Sequence, residues 1–247
     1  MSKRIGVQLY SVRRELAKDF TGVIRAIAEM GYDGVETAGL PAGVTPDEAT
    51  ALFSSLGLAM AGGHFPLPVG GDARKAISDA RALGCRTIVG GKGPDDFTTP
   101  DLIRQSCEQF NEAVANADKA GLRFAIHNHW WEFGTVDGRV VFDRMRELLD
   151  SRVCFEVDTY WVKTGGGDPV KVVADLGARA PLLHIKDGPC VQGQPMVAAG
   201  KGAMQFPPIL AAARQAEWLI VEFDECATDI LAALRESLVY LRGISKT

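Results

Sequence analysis

The sequence predicts one closed (β/α)8 barrel, a single domain spanning residues 1–247, and three observations lead there. The length of 247 residues is close to the ~250 of a complete barrel. Short apolar, β-branched runs alternate with longer segments of helical period along the whole chain, the pattern of a closed parallel sheet. Polar residues recur where the apolar runs end, and the C-terminal strand ends are where such a barrel carries its chemistry.

The strand candidates are Ile5–Leu9, Gly34–Glu36, Leu58–Gly62, Thr87–Val89, Arg123–Asn128, Val153–Asp158, Leu182–Lys186 and Leu219–Phe223. Between them, Thr21–Met30 sets Val23, Ile27 and Met30 on one helical face. Pro46–Leu56 opens with Thr45 as N-cap and proline at the first helical position. Ala73–Leu83 stops at Gly84 and the long Pro100–Ala120 stops at Gly121, where a left-handed C-cap needs a residue without Cβ. Helices follow near Phe142–Leu149, Pro169–Leu176, Pro207–Gln215 and Asp229–Leu241. An open doubly wound sheet usually has fewer strands and a glycine-rich phosphate loop after the first. Here the first strand runs into Gln8-Leu9-Tyr10-Ser11.

Composition narrows the function classes. The hydrophobic fraction is 47%, the charged fraction 23% and the net charge −4. Scattered Lys and Arg give no basic face for nucleic acid. The five cysteines are widely spaced with no CxxC pair, which reads as reduced thiols in a cytoplasmic enzyme. The N-terminus has no long apolar stretch behind its charges, and no apolar run reaches membrane-spanning length, so neither a signal peptide nor membrane association is expected.

Side chains on a strand alternate between faces, so polar residues two apart near a strand end share the barrel interior. Gln8 ends the first strand, Glu36 the second, and His64 follows the third. The fifth reads His127-Asn128-His129 with Trp130, Trp131 and Glu132 behind it. The pairs Glu156/Asp158, His184/Lys186 and Glu222/Asp224 share a face at the last three strands. Alone, a strand-end carboxylate usually caps the next helix, and a lone histidine is usually a hydrogen-bonded core residue. Like charges converging on a dry barrel mouth repel unless a cation compensates. Asp158, Glu222, Glu132 and His184 would form an O3N site suited to a divalent ion. All four histidines of the chain, His64, His127, His129 and His184, fall at strand ends.

These segments resemble the sugar phosphate isomerase/epimerase group of xylose isomerase-like TIM barrels, whose relatives include ketose 3-epimerases, inosose dehydratase and endonuclease IV. The resemblance runs from Gly6-Val7-Gln8-Leu9-Tyr10-Ser11-Val12-Arg13 and Gly31-Tyr32-Asp33-Gly34-Val35-Glu36 through His127–Phe133 and Phe155–Trp161 to His184-Ile185-Lys186-Asp187-Gly188 and Val221–Glu225. It implies one divalent metal ion, Mn2+ first, with Mg2+, Co2+ and Zn2+ as alternatives. Carried over by position, the ligands are Glu132, Asp158, His184 and Glu222. Ala125 stands where ketose epimerases place their first glutamate, so His127 and His129 are alternatives to Glu132. Gly200-Lys201-Gly202 lacks the acidic residue that relatives often carry between the glycines.

The resemblance implies a metal-dependent isomerase or epimerase that works through an enediolate. The ion acidifies the C–H between neighbouring carbonyl and hydroxyl oxygens of a small sugar. Glu132 and Glu222 would then serve as the acid/base pair. In a rival dehydratase or β-eliminase scheme, His127, His129 or Lys186 moves the protons. Lys186 would steady the enediolate oxygen or simply pair with Glu156 or Asp187. Gln8, Glu36, His64, Trp161 and Lys201 are the candidate substrate-binding residues. Only Gly200-Lys201-Gly202 suggests a phosphate cradle, so an unphosphorylated sugar or keto-sugar is expected. An abasic-site endonuclease would need more metal ligands and a basic face. Ala125 keeps a non-catalytic sugar-binding barrel in view. Analogy with such barrels implies a homo-oligomer, a dimer or tetramer.

Overall fold

The computed structural model describes residues 3–244. Residues 1–2 and 245–247, the ends of the expected domain, lie outside the described residues. The strands are Arg4–Gln8, Gly34–Thr37, Ala59–His64, Thr87–Gly90, Arg123–His127, Cys154–Asp158, Leu182–Ile185 and Trp218–Val221. They close into one barrel in chain order, the first pairing with both the second and the eighth. Every barrel pairing is parallel. All eight expected strands are present, with ends moved by one or two residues. Lys186 and Glu222 consequently stand just beyond their strands, at the mouth.

Helices fill the connections: Phe20–Met30, Pro46–Ser55, Ala73–Ala82, Pro100–Lys119, Val141–Leu148, Pro169–Leu176, Phe206–Ala212 and Ile230–Ile244. Thr45 and Glu48 form a reciprocal capping box at the second of these. Gly84 and Gly121 follow their helices with φ of 66° and 73°, the left-handed conformation expected of them. Among the described residues, no helix is long and apolar enough to cross a membrane.

Three small elements escape the periodicity. A hairpin pairs Thr135–Val136 with Arg139–Val140 through Asp137-Gly138, both at positive φ, the signature of a tight primed turn. Its strands are too short to show alternation. Helix Thr159–Thr164 follows the sixth strand directly, because Asp158 Oδ1 accepts the Trp161 N–H at 2.8 Å and caps it. A four-residue helix, Arg13–Leu16, follows the first strand.

The core has two parts. The larger lies between the strands and the helices. The smaller fills the barrel's lower interior with Ala61, Val89, Ala125, Leu182, Trp218 and Ile220. Trp218 is the first residue of its strand, so its indole plugs the end opposite the mouth. Gly34 makes room for it, since a Cβ there would sit 2.6 Å from the indole and 2.1 Å from the Ala59 carbonyl oxygen. Ala125 is fully buried in this packing layer. Overpacking a rigid barrel interior costs about 1–3 kcal/mol, and Gly34→Ala should lose at least that much stability in urea unfolding.

Candidate metal centre

Four side chains converge just inside the mouth. His127 comes from the fifth strand, Asp158 from the sixth and His184 from the seventh, and Glu222 follows the eighth. Each offers one donor atom, and these atoms lie within 4.8 Å of one another. Nε2 of His127, Oδ2 of Asp158, Nδ1 of His184 and Oε2 of Glu222 are all buried and make no well-aligned hydrogen bond, although the Lys186 ammonium stands beside the two oxygens and His184 Nδ1 beside the Glu222 oxygen. Native structures rarely leave one such atom unsatisfied. Here four are gathered, with hard oxygen and borderline nitrogen donors that suit a first-row divalent ion.

The surroundings fix these groups. Asn128 clamps the sixth strand: its Oδ1 accepts the Asp158 N–H at 3.0 Å, and its Nδ2 donates to the Asp158 carbonyl at 3.2 Å. Lys186 is almost fully buried, with Nζ 3.0 Å from Asp158, 2.8 Å from Glu222 and 2.8 Å from Asp224. Its partners are therefore these three carboxylates, not the expected Glu156 or Asp187. Burial opposes its charge, but the three carboxylates hold its pKa well above the usual value. Burial likewise opposes ionisation of Glu222, yet Lys186 and His184 keep its pKa well below the normal carboxylate range. Burial pushes His127 well down, reinforced by His184 and His64. His129 is pushed down to about 2 by burial and by His127.

Glu132 lies apart from the four. It sits in the turn Trp131–Phe133, where its Oε2 accepts the His129 N–H at 2.8 Å. Its Oε1 is buried without a partner, and burial pushes its pKa up to about 8. The structure thus brings His127 rather than Glu132 into the four-residue group. His129 stacks on Trp131, ring centroids 4.1 Å apart, outside that group.

A second tier lies deeper. His64 Nε2 is 2.7 Å from Glu156 Oε2, and His184 Nε2 is 2.8 Å from Glu36 Oε1. Gln8 Nε2 donates to the same Glu36 oxygen at 2.6 Å. Gln8, Glu36 and Glu156 are wholly buried.

Above both tiers opens a cavity of about 550 Å³, walled by His64, His127, His129, Trp131, Lys186 and Asp224 among others. Gln8, Glu36 and Trp161 were expected to touch substrate, but they do not line it. Gln8 and Glu36 lie beneath it. Trp161 packs against Trp130 at 4.7 Å and under the Lys186 ammonium at 5.1 Å. Lys201 points elsewhere: its Nζ pairs with Glu236 at 2.6 Å in a separate cleft beside Arg235 and Tyr240. The reason is Asp187, whose carboxylate accepts the N–H groups of Gly188, Gly200, Gly202 and Met204 and folds that loop away. The mouth instead receives Gly91-Lys92-Gly93 and Tyr10, which the sequence reading did not select. The glycine-flanked lysine directly after the fourth strand was the available signal.

The fold and site define a (β/α)8 barrel with a candidate metal centre at its mouth. The chain belongs to the xylose isomerase-like TIM barrel family, whose model matches residues 24–244. A sugar phosphate isomerase/epimerase from Parabacteroides distasonis is 26% identical, with a TM-score of 0.84 over 96% of this chain and 97% of that one. L-ribulose 3-epimerase, at 17% identity, superposes with a TM-score of 0.74 over 99% of this chain and 95% of its own. The probable 3-DHS dehydratase of Bacillus anthracis, at 14% identity, gives 0.76 over 97% and 98%. The last two likenesses carry the fold alone. None of the curated proteins matches the chain.

The raised Glu132 pKa has a signed consequence for stability. The unfolded chain ionises this carboxyl near 4.5 and the folded chain near 8. Its contribution is therefore present below pH 4.5 and lost as pH rises through about 8. Glu132→Gln should gain stability over the wild type across that window, reaching on the order of 5 kcal/mol above it. Urea unfolding of chelator-treated protein at about pH 4, 6 and 9 measures the gap. A pH-independent gap would contradict it.

Proposed function

We propose that this barrel is a divalent-metal-dependent sugar isomerase or epimerase acting on an unphosphorylated sugar or keto-sugar. The observation that carries this reading is the convergence of four unsatisfied, buried donor atoms on His127, Asp158, His184 and Glu222. Those residues would hold the ion, with Mn2+ the first choice for such an O2N2 set. When bound, the ion supplies Lewis-acid polarisation of neighbouring substrate oxygens.

The chain's own residues supply the rest. Lys186 presents an ammonium to the cavity and steadies negative charge developing on a substrate oxygen. Burial and its neighbours keep His129 uncharged, so on the fifth-strand wall its imidazole offers a neutral hydrogen-bonding partner to a substrate hydroxyl. Asp224 stands with Lys186 at the seventh and eighth strands, and burial raises its carboxyl above the usual range. Inversion at carbon requires one group to remove a proton and another to return it to the opposite face, and Glu222 and Asp224 are the carboxylates that line the cavity. The stacked His129–Trp131 pair offers a flat surface for a sugar ring.

The same raised Asp224 carboxyl favours a second reading, a lyase. Asp224, if it takes up a proton during the reaction, would deliver it to a departing hydroxyl or glycosidic oxygen, giving dehydration or β-elimination from a keto-sugar or inosose.

Asp158→Asn and Glu222→Gln should each cut turnover and metal retention more than about 100-fold, beyond the loss typical of an outer-shell change, with the circular dichroism spectrum unchanged. Wild-type turnover in both would refute the site. Incubating a panel of free ketoses and keto-sugars with enzyme in D2O, followed by NMR, separates the reactions. Deuterium at one carbon with an inverted centre or moved carbonyl marks the epimerase or isomerase, and an unsaturated keto product marks the lyase.

A further inference from the structure

We propose that Glu36 and Glu156, with Gln8 and His64 behind them, are positioning residues that hold His184 as the tautomer protonated at Nε2, so that Nδ1 is the atom offered to the metal. The proposal rests on the metal reading above. It concerns residues that never reach the cavity floor, apart from His64.

The geometry is a ring. His184 Nε2 lies 2.8 Å from Glu36 Oε1 and 3.2 Å from Glu156 Oε2. His64 Nε2 lies 2.7 Å from the same Glu156 oxygen and 3.2 Å from the same Glu36 oxygen. Two imidazole nitrogens thus alternate with two carboxylate oxygens, and the rings stack at 5.8 Å with 15° between their planes. An ionised carboxylate only accepts hydrogen bonds. One oxygen of each carboxyl group faces His184 Nε2, which places an N–H there as the donor between them; with the proton on Nε2, the lone pair of the neutral imidazole falls on Nδ1. That nitrogen is the one turned to Glu222, 2.7 Å away, and to Asp158, 4.0 Å away. It is also the one left without a hydrogen bond.

The carboxylates are themselves held. Gln8 Nε2 donates to Glu36 Oε1 at 2.6 Å. Gly62 on the third strand leaves Glu36 its place, since a Cβ there would lie 3.0 Å from Oε2. The ring draws on the first, second, third, sixth and seventh strands, so His184 is aimed by half the barrel.

The four ring groups lie close enough to bind an ion of their own. They differ from the upper four in one respect. Their facing atoms are already engaged in hydrogen bonds with one another, whereas the upper four have only ion-pair contacts, between His184 and Glu222 and from Lys186 to Asp158 and Glu222. The ring therefore reads as the outer support of one centre, the carboxylate–histidine–metal arrangement, and not as a second centre.

The test uses full-length protein with Glu36→Gln and Glu156→Gln. Each should weaken Mn2+ binding, measured by calorimetry, about 10–100-fold, while the melting temperature in chelator stays at or above that of the wild type. In Zn2+-loaded protein with 15N-histidine, NMR should show His184 protonated at Nε2 and metal-bound at Nδ1. Wild-type affinity in both variants, or metal on Nε2, would overturn the positioning role alone. Two ions per wild-type chain, one of them lost in Glu36→Gln, would overturn it in favour of a second site. A wild-type chain that takes up no divalent ion would overturn the metal reading, and this proposal with it.

Discussion

Charge confined in a space that cannot relax is the constraint on which the site depends. Glu36, Glu156, Asp158 and Glu222 are all buried inside one barrel. Two like charges 4 Å apart repel by roughly 4 kcal/mol at the effective dielectric of a protein, and strands in a closed sheet cannot move apart to relieve it. The arrangement answers by alternation. Each carboxylate faces an imidazole, an ammonium or an amide: Glu36 meets Gln8 and His184, Glu156 meets His64, and Asp158 and Glu222 share Lys186. In the lower tier Glu36 Oε1 and Glu156 Oε2 are engaged by Gln8, His184 and His64. In the upper tier the count falls short, and the shortfall is where a cation fits.

The same constraint sorts three histidines into different roles. His184 is surrounded by carboxylates, which outweigh burial and keep its pKa well above normal. His127 and His129 are buried beside other imidazoles and have their pKa values pushed down. A residue type that titrates near neutrality in water is thus pulled in opposite directions within one cavity, and a cation at Nδ1 would stand in for a second proton on His184. The barrel makes this sharp because neighbouring strands hold the rings at fixed spacing: His127 lies 4.7 Å from His184 and 4.8 Å from His129.

Much of this was legible in the residues. Alternating apolar runs and helical segments specify the barrel, since both periods are written directly in burial. The paired polar residues at the last three strands point inward because the strand period is two, and Asp158, His184, Lys186 and Glu222 do meet there. Long-range partners were not legible. Nothing in the local sequence shows that Gln8 and Glu36 lie below the cavity rather than in its wall. That depends on how far each strand is staggered along the barrel axis. Lys201 was misplaced because Asp187, adjacent to the site in sequence, gathers four backbone N–H groups and turns the loop aside. Glu132 was chosen for a position Ala125 does not fill, and Ala125 belongs to a packing layer below the site. His127, which the strand delivers inward, occupies the group instead.

The indole of Trp218, seated over Gly34, gives the barrel a floor. Among the described residues, the cavity opens at the end opposite that indole. Tyr10 and the Gly91–Gly93 loop flank that opening. An ion seated on His127, Asp158, His184 and Glu222 lies beneath whatever fills the cavity, so occupancy by a sugar also caps the ion against escape. On the proposed reading, the ion would have to be seated before the sugar and could leave only after it.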